Sequence, residues 1–305
     1  MYQSYNDKEK ENLAKYSALL KGFVTNGMEM LSERMNSKKT LRTDLASFLL
    51  FRQIMETGDA IGELIKIGCV NASKPLLRTL LECYCQLAYM FKDIEDRKAL
   101  QFLYHYEIRK RDYYERLAYP KKGGSFFQKL KKDRLLQNED IFQGQKQVYL
   151  NSINEITKTL NDQEYEPIKE EYSRTENKKG NKETRKVGKV KYWYELFDGP
   201  SNTESVLMQL EEPALYEFPY RDCSAYSHGE DIVHSNLESN GEDTVGISAL
   251  RDIRQFSTIV DPTINLIGKS FKLFIENKVE NKDLYKARLS PLMLTAFVLS
   301  KKDSL

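Results

Sequence analysis

Between Thr43 and Cys69 the apolar residues Leu45, Phe48, Leu49, Ile54, Met55, Ile61, Leu64, Ile65 and Ile67 recur at steps of three and four. That spacing lines one face of a helix and does not fit a strand, whose side chains alternate with a period of two. The same periodicity runs from Leu13 to Met35 and from about Leu250 to Glu276. From Leu76 to Phe91 the apolar residues go nearly all the way round, which predicts a central helix over Asn71–Lys92. Asn71 or Ser73 offers a cap for it, and Pro75 fits its first turn. Asp96 to Leu117 reads as an amphipathic helix rich in aromatic residues, broken by Gly123-Gly124. Strand patterns are nearly absent. The expectation is an all-α protein, a helical bundle.

At 305 residues the chain can bury a large core, as one big domain or two modest ones. We read 1–42 as an N-terminal helix and 43–280 as a helical core with a long insertion at about 120–191. Residues 281–305 then form a C-terminal tail or helix. Gly58, Gly62 and Gly68 either weaken the second helix locally or let a neighbour approach closely. Ser173–Lys191 lacks apolar periodicity and is rich in Lys, Asn, Gly and Thr, so a mobile basic loop is expected there. Ser201 or Asn202 is placed to cap a helix toward Leu210.

No apolar run approaches the roughly 18–20 residues that a membrane-spanning helix needs. The first residues lack the charged-then-apolar order of a secretory signal, and the last resemble no anchor. Cys69, Cys83, Cys85 and Cys223 form no CxxC pair and read as buried free thiols. A cytoplasmic protein without a metal or other cofactor is therefore expected. Phosphate-binding glycine loops, HExxH, GxSxG and paired DxD motifs are absent from the sequence, which argues against nucleotide hydrolases, metalloproteases and serine hydrolases.

Polar chemistry concentrates in two places. Tyr220-Arg221-Asp222-Cys223-Ser224-Ala225-Tyr226-Ser227-His228-Gly229 puts an arginine, a serine and a histidine on one expected helical face, with a glycine stop after them. Histidine is the side chain whose charge changes near neutral pH. Arg78 and Glu82, spaced i, i+4, interrupt the apolar helix between Leu76, Leu77, Leu80, Leu81 and Tyr84 and are expected to pair. Two accounts of these residues stay open: a polar network that fixes helix packing, or a reactive site. His234 reads as a solvated histidine beyond the helix end, and His105 as packed among tyrosines.

Charge is unevenly spread on a chain of net +2. Arg109 to Arg134 holds ten basic residues against Asp112, Glu115 and Asp133, a net of +7. Among them Arg109, Lys110, Arg111, Lys121, Lys122, Lys131 and Lys132 interleave with Tyr113, Tyr114, Tyr119, Phe126 and Phe127, the composition of a surface that tracks a nucleic-acid backbone and stacks bases. Arg174 to Lys191 carries a net of +6. Solvated helix faces are the alternative account of both blocks.

The segment Ala72–Asp93, with its Leu77-Arg78-x-x-Leu81-Glu82 core, resembles one signature of the bacterial domain-of-unknown-function family 5677. Tyr220-Arg221-x-x-Ser224-x-x-x-His228-Gly229 resembles its other signature, and Trp193-Tyr194-x-Leu196-Phe197 also fits. The resemblance spans roughly Thr43 to Ser235. Arg221 and His228 also resemble the Arg, four-to-six residues, His motif of HEPN domains (higher eukaryotes and prokaryotes nucleotide-binding). Those are helical bundles, often metal-independent endoribonucleases of toxins and phage-defence systems. That resemblance implies attack by an RNA 2′-hydroxyl on the adjacent phosphate, with His228 as general base or acid and Arg221 on the phosphate. Ser224 would orient His228 or donate to the phosphate, and Asp222 would orient Arg221. It further implies RNA as partner, a homodimer whose two copies line one cleft, and an operon-encoded defence partner. The rival expectations are a non-catalytic helical interaction module and a sensor of a nucleotide or small ligand.

Overall fold

The structure, a computed structural model, describes residues 2–37, 40–92, 95–119, 128–129, 132, 144–180, 188–230, 236–239 and 245–302. It divides into two units, Met1–Glu95 with Asn202–Leu305, and Asp96–Ser201. The first is a bundle of α1 (Asp7–Ser37), α2 (Arg42–Lys66) and α3 (Lys74–Phe91), closed by helices from the far end of the chain. The second holds α4 (Glu95–Ala118), α5 (Lys146–Leu160) and α6 (Glu166–Lys179). The first unit is completed by α7 (Thr203–Gln209), α8 (Arg221–His228), the strands β1 (Leu237–Ser239) and β2 (Val245–Ile247), α9 (Phe256–Lys278) and α10 (Lys282–Lys302). The two strands pair antiparallel, Leu237 opposite Ile247. The helix read as a separate segment at 1–42 belongs to the first bundle, since Tyr16, Leu20 and Phe23 are fully buried there.

An aromatic cluster welds α1, α2 and α9 together. Phe51 stacks on Phe274 with ring centroids 4.3 Å apart and meets Phe271 edge-on at 5.5 Å. Burying one such ring stabilises the fold by about 1.5–3 kcal/mol. Gly58 resolves its two readings in favour of close approach: a Cβ there would lie 2.7 Å from the Ile267 side chain of α9. At one rim, Asp44 accepts from the Lys278 ammonium at 2.8 Å, from Arg34 at 3.4 Å and from the Leu41 N–H at 3.1 Å. Burial opposes ionisation of that carboxyl, but the two cations and the N–H outweigh it and hold its pKa below the usual value.

α3 is central, as its all-round apolar pattern requires: Leu77, Leu80, Leu81, Leu87 and Met90 are sealed, and it packs on α2, α7, α8 and α9. Ser73 does not cap it; its hydroxyl donates to the Cys69 carbonyl at 3.2 Å. Asn202 does cap α7, accepting from the Ser205 N–H at 2.8 Å. The helix expected from about Leu250 begins at Phe256 instead, after Arg251 adopts a left-handed conformation, φ 65°.

The second unit has its own core of Tyr104, Ile156, Leu160, Tyr165, Ile168, Tyr172, Val190 and Leu196. The loop expected over Ser173–Lys191 is corrected at both ends. Ser173–Lys179 is the last part of α6, and Val190 is buried. The helix continues without apolar periodicity because polar contacts replace it. Arg174 bridges Glu171 and Asp198, Lys178 reaches Asp198 at 2.7 Å, and Glu171 accepts the Phe197 N–H at 2.7 Å. Residues 181–187 lie outside the described residues.

Candidate functional site

Three polar side chains stand one turn apart along α3: Lys74, Arg78 and Glu82. They turn to α8, which is laid against this strip. The chain enters α8 from a helical run that starts at Pro213 and passes through a π turn, Tyr216–Tyr220. Pro219 explains the turn. It has no N–H to donate and crowds the carbonyl one turn back, and a wider register relieves both problems. The Arg221 N–H then reaches the Tyr216 carbonyl, five residues away. At the other end Gly229, at φ 74°, stops the helix. Its N–H bonds Tyr226 O and the Glu230 N–H bonds Ala225 O, the pair of bonds of a Schellman cap. His228 is therefore the terminal residue of α8, and its side chain is exposed.

Arg78 is the hub. Its Nε donates to Glu82 Oε1 at 3.1 Å, Nη2 to the Tyr220 hydroxyl at 3.2 Å and Nη1 to the Ser224 hydroxyl at 3.3 Å. Nη1 also stands 3.4 Å from His228 Nε2. A guanidinium carries donors only, so the imidazole nitrogen facing it is the acceptor in this arrangement. The Tyr220 hydroxyl in turn donates to Glu82 Oε1 at 3.2 Å. The Arg78 and Glu82 side chains remain 25% and 38% exposed, so the pair is not sealed in the bundle and the cluster opens to water. Burial works against the Arg78 charge, but Tyr220 and Glu82 outweigh it and raise its pKa further. Burial and the neighbouring Glu82 push the Tyr220 phenol up.

Lys74 fixes the other side of α8. Its side chain is fully buried, its ammonium is 3.1 Å from Asp222 Oδ2, and it lies over the Tyr226 ring at 5.4 Å. Asp222 was expected to orient Arg221; it holds Lys74 instead. Arg221 itself turns the other way. Its Nε is 3.0 Å from Glu217 and its guanidinium lies over Tyr216 at 5.3 Å. A helical wheel puts Arg221 and His228 on one face, yet seven residues separate them by about 10 Å of rise. Helical side chains also lean toward the N-terminus, which carries the Arg221 guanidinium away from His228. The arginine that meets His228 comes from α3.

Of the expected nucleic-acid contacts, Arg109, Lys110 and Arg111 lie on α4, and Lys132 is exposed. Lys121, Lys122, Lys131 and His234 lie outside the described residues. Arg109 lines a cavity of about 470 Å³ with Arg116, Lys189 and Lys191, but Asp112, Glu115 and Glu176 line it too, so its charge is mixed. Arg111 leans on Glu115 at 3.9 Å, and Lys110 lies over the Tyr106 ring at 5.9 Å. His105 is packed as expected, against Tyr172 at 3.2 Å, and burial drops its pKa to about 4. The Cys83 and Cys223 thiols are buried, which pushes each up to about 12. Among the described residues no three His, Cys, Asp or Glu side chains gather as a metal-ligand set, and no helix is long and apolar enough to cross a membrane.

The sequence reading missed Lys74 and Tyr220. The signal for Lys74 was its place four residues before Arg78 and eight before Glu82, on one stripe of an otherwise apolar helix. Tyr220 opens the quoted decapeptide, where nothing local marks its hydroxyl as a partner of Arg78 and Glu82.

No curated protein and no solved structure matches this chain. One family does, over residues 44–244, a stretch that carries α3, α8 and every residue of the polar cluster. With well over half of its length matched, the chain belongs to the family of unknown function DUF5677.

Proposed function

We propose that this protein is a HEPN-like, metal-independent endoribonuclease in which Arg78, rather than Arg221, is the cation beside His228. The observation that carries the reading is an open imidazole 3.4 Å from a guanidinium that also holds the Ser224 hydroxyl. When a bound phosphate draws Arg78 Nη1 away, His228 Nε2 takes the proton from an RNA 2′-hydroxyl. The resulting oxygen attacks the adjacent phosphorus, the bond to the 5′-oxygen breaks, and that leaving oxygen takes a proton from water. The products are a 2′,3′-cyclic phosphate and a 5′-hydroxyl. Arg78 stabilises the charge that grows on the phosphate oxygens. Tyr220 and Glu82 hold Arg78 in place, and the Lys74–Asp222 pair holds α8 in register with α3. The HEPN resemblance further suggests a homodimer, with a second copy of the cluster across the cleft, and the role of a toxic effector in phage defence.

Incubating wild type and His228→Ala with RNA in the presence of a chelator tests this. The reading predicts chelator-resistant cleavage with cyclic phosphate ends, lost in the variant. A second reading has one observation in its favour: Glu82, Tyr220 and Ser224 between them occupy all three guanidinium nitrogens of Arg78. On that reading the cluster is a structural lock or ligand-sensing pocket of a non-catalytic interaction module, and His228→Ala melts early without any loss of activity to explain.

A further inference from the structure

We infer that Arg221 is a base-stacking residue, the flat cation against which an unpaired base of single-stranded RNA settles beside the phosphate held by Arg78. This rests on the ribonuclease reading and changes the role that the sequence pattern implies for Arg221.

Four planar groups follow one another at the mouth of the cluster. The Arg78 guanidinium lies over the Tyr220 ring at 5.1 Å. Tyr220 stacks on Tyr216, with centroids 5.0 Å apart and planes 20° from parallel. The Arg221 guanidinium lies over Tyr216 at 5.3 Å. The two tyrosines are thus enclosed between two arginines. Arg221, at 60% side-chain exposure, is the end of the ladder that faces water.

What Arg221 offers a ligand follows from its neighbours. Glu217, 3.0 Å from its Nε, offsets its charge, so it is a poor anchor for a phosphate. Its plane remains, held against Tyr216 on one side. A guanidinium is weakly hydrated and stacks readily on aromatic rings and on splayed-out bases. Because Tyr216 and Glu217 already restrain the side chain, a base that docks there meets a prearranged surface. The base must be unpaired, since one inside a duplex is already stacked on both faces. The π turn sets this up, since its wider register brings Arg221, five residues on, over Tyr216.

The probe is a 2′-O-methyl oligonucleotide, which lacks the attacking hydroxyl, used beside the same backbone with abasic sites. Binding is measured by fluorescence anisotropy with full-length wild type, Arg221→Ala and Arg221→Lys. The inference predicts that both Arg221 variants bind the normal strand about tenfold more weakly, in line with the loss of one stacked base. On the abasic strand they should match wild type. Wild-type affinity in Arg221→Lys, or an equal loss on the abasic strand, would make Arg221 a charge contact and overturn the inference. So would failure of wild type to bind the normal strand. A ribonuclease reading that fails separately shows itself differently, as intact, Arg221-dependent strand binding with no cleavage of ordinary RNA.

Discussion

The Arg78 guanidinium of α3 stands 3.4 Å from the His228 imidazole at the end of α8, across 150 residues of chain. Both helices are short of alternatives. The Schellman cap at Gly229 ends α8 at His228, and the apolar remainder of α3 leaves the Lys74–Arg78–Glu82 stripe as its polar face. Where the two meet, a cation, a hydroxyl and an imidazole converge at a surface open to water.

If the ribonuclease reading holds, Tyr220 acts through Arg78, so its removal should appear in turnover rather than in binding. Tyr220→Phe keeps the ring and deletes the hydroxyl that joins Arg78 to Glu82. Each lost hydrogen bond is worth about 1 kcal/mol. We expect kcat to fall by roughly tenfold with KM nearly unchanged. A raised KM at unchanged kcat would instead put the hydroxyl on the substrate.

The Lys74–Asp222 pair is asymmetric, with a fully buried ammonium and a carboxylate about half open. Asp222→Asn leaves a buried cation facing a neutral amide and should cost on the order of 2 kcal/mol. That is below the loss of about 3–5 kcal/mol for a fully buried pair, because water reaches Asp222. Lys74→Met removes the buried charge and lets Asp222 rehydrate, so it should cost less. Chemical denaturation of the two variants gives the ranking, and the reverse order would contradict it.

Acid should act on the two units in different windows. His105 is held near pKa 4 in the folded state, below its unfolded value of about 6.5, so the unfolded chain binds the extra proton. Its contribution is full above about pH 6.5 and drains away down to about pH 4, at up to 1.4 kcal/mol per pH unit. Asp44 has a lowered pKa, so its contribution is present above the unfolded carboxyl value near 3.9 and is lost as pH falls through the folded one. Melting of His105→Gln between pH 6.5 and 4 should be flatter than wild type, and Asp44→Asn should flatten the curve only below about pH 4. Parallel curves for wild type and His105→Gln would refute the assignment.

Much of the bundle was legible because burial writes a 3.6-residue period into sequence, as in Leu45 to Ile67 or Leu76 to Phe91. α6 was read short for the converse reason: beyond Tyr172 its helix is held by Arg174, Lys178 and Asp198, which leave no apolar period. At the site, the pairing of Arg78 with Glu82 and the stop at Gly229 were legible, being local. The direction of Arg221 was not. A helical wheel records the angle around an axis and ignores the rise along it, and the contacts that turn Arg221 away depend on a π turn. Lys74 and Asp222 meet across 148 residues, a distance over which spacing carries no information.

The most direct test of the account is single-turnover cleavage of RNA, with chelator present and enzyme in excess, by Arg78→Ala, His228→Ala and the double variant. If the two side chains form one catalytic unit, each single variant loses at least about a hundredfold in rate, and the double variant is hardly slower than either. Cleavage by Arg78→Ala at the wild-type rate would contradict the account.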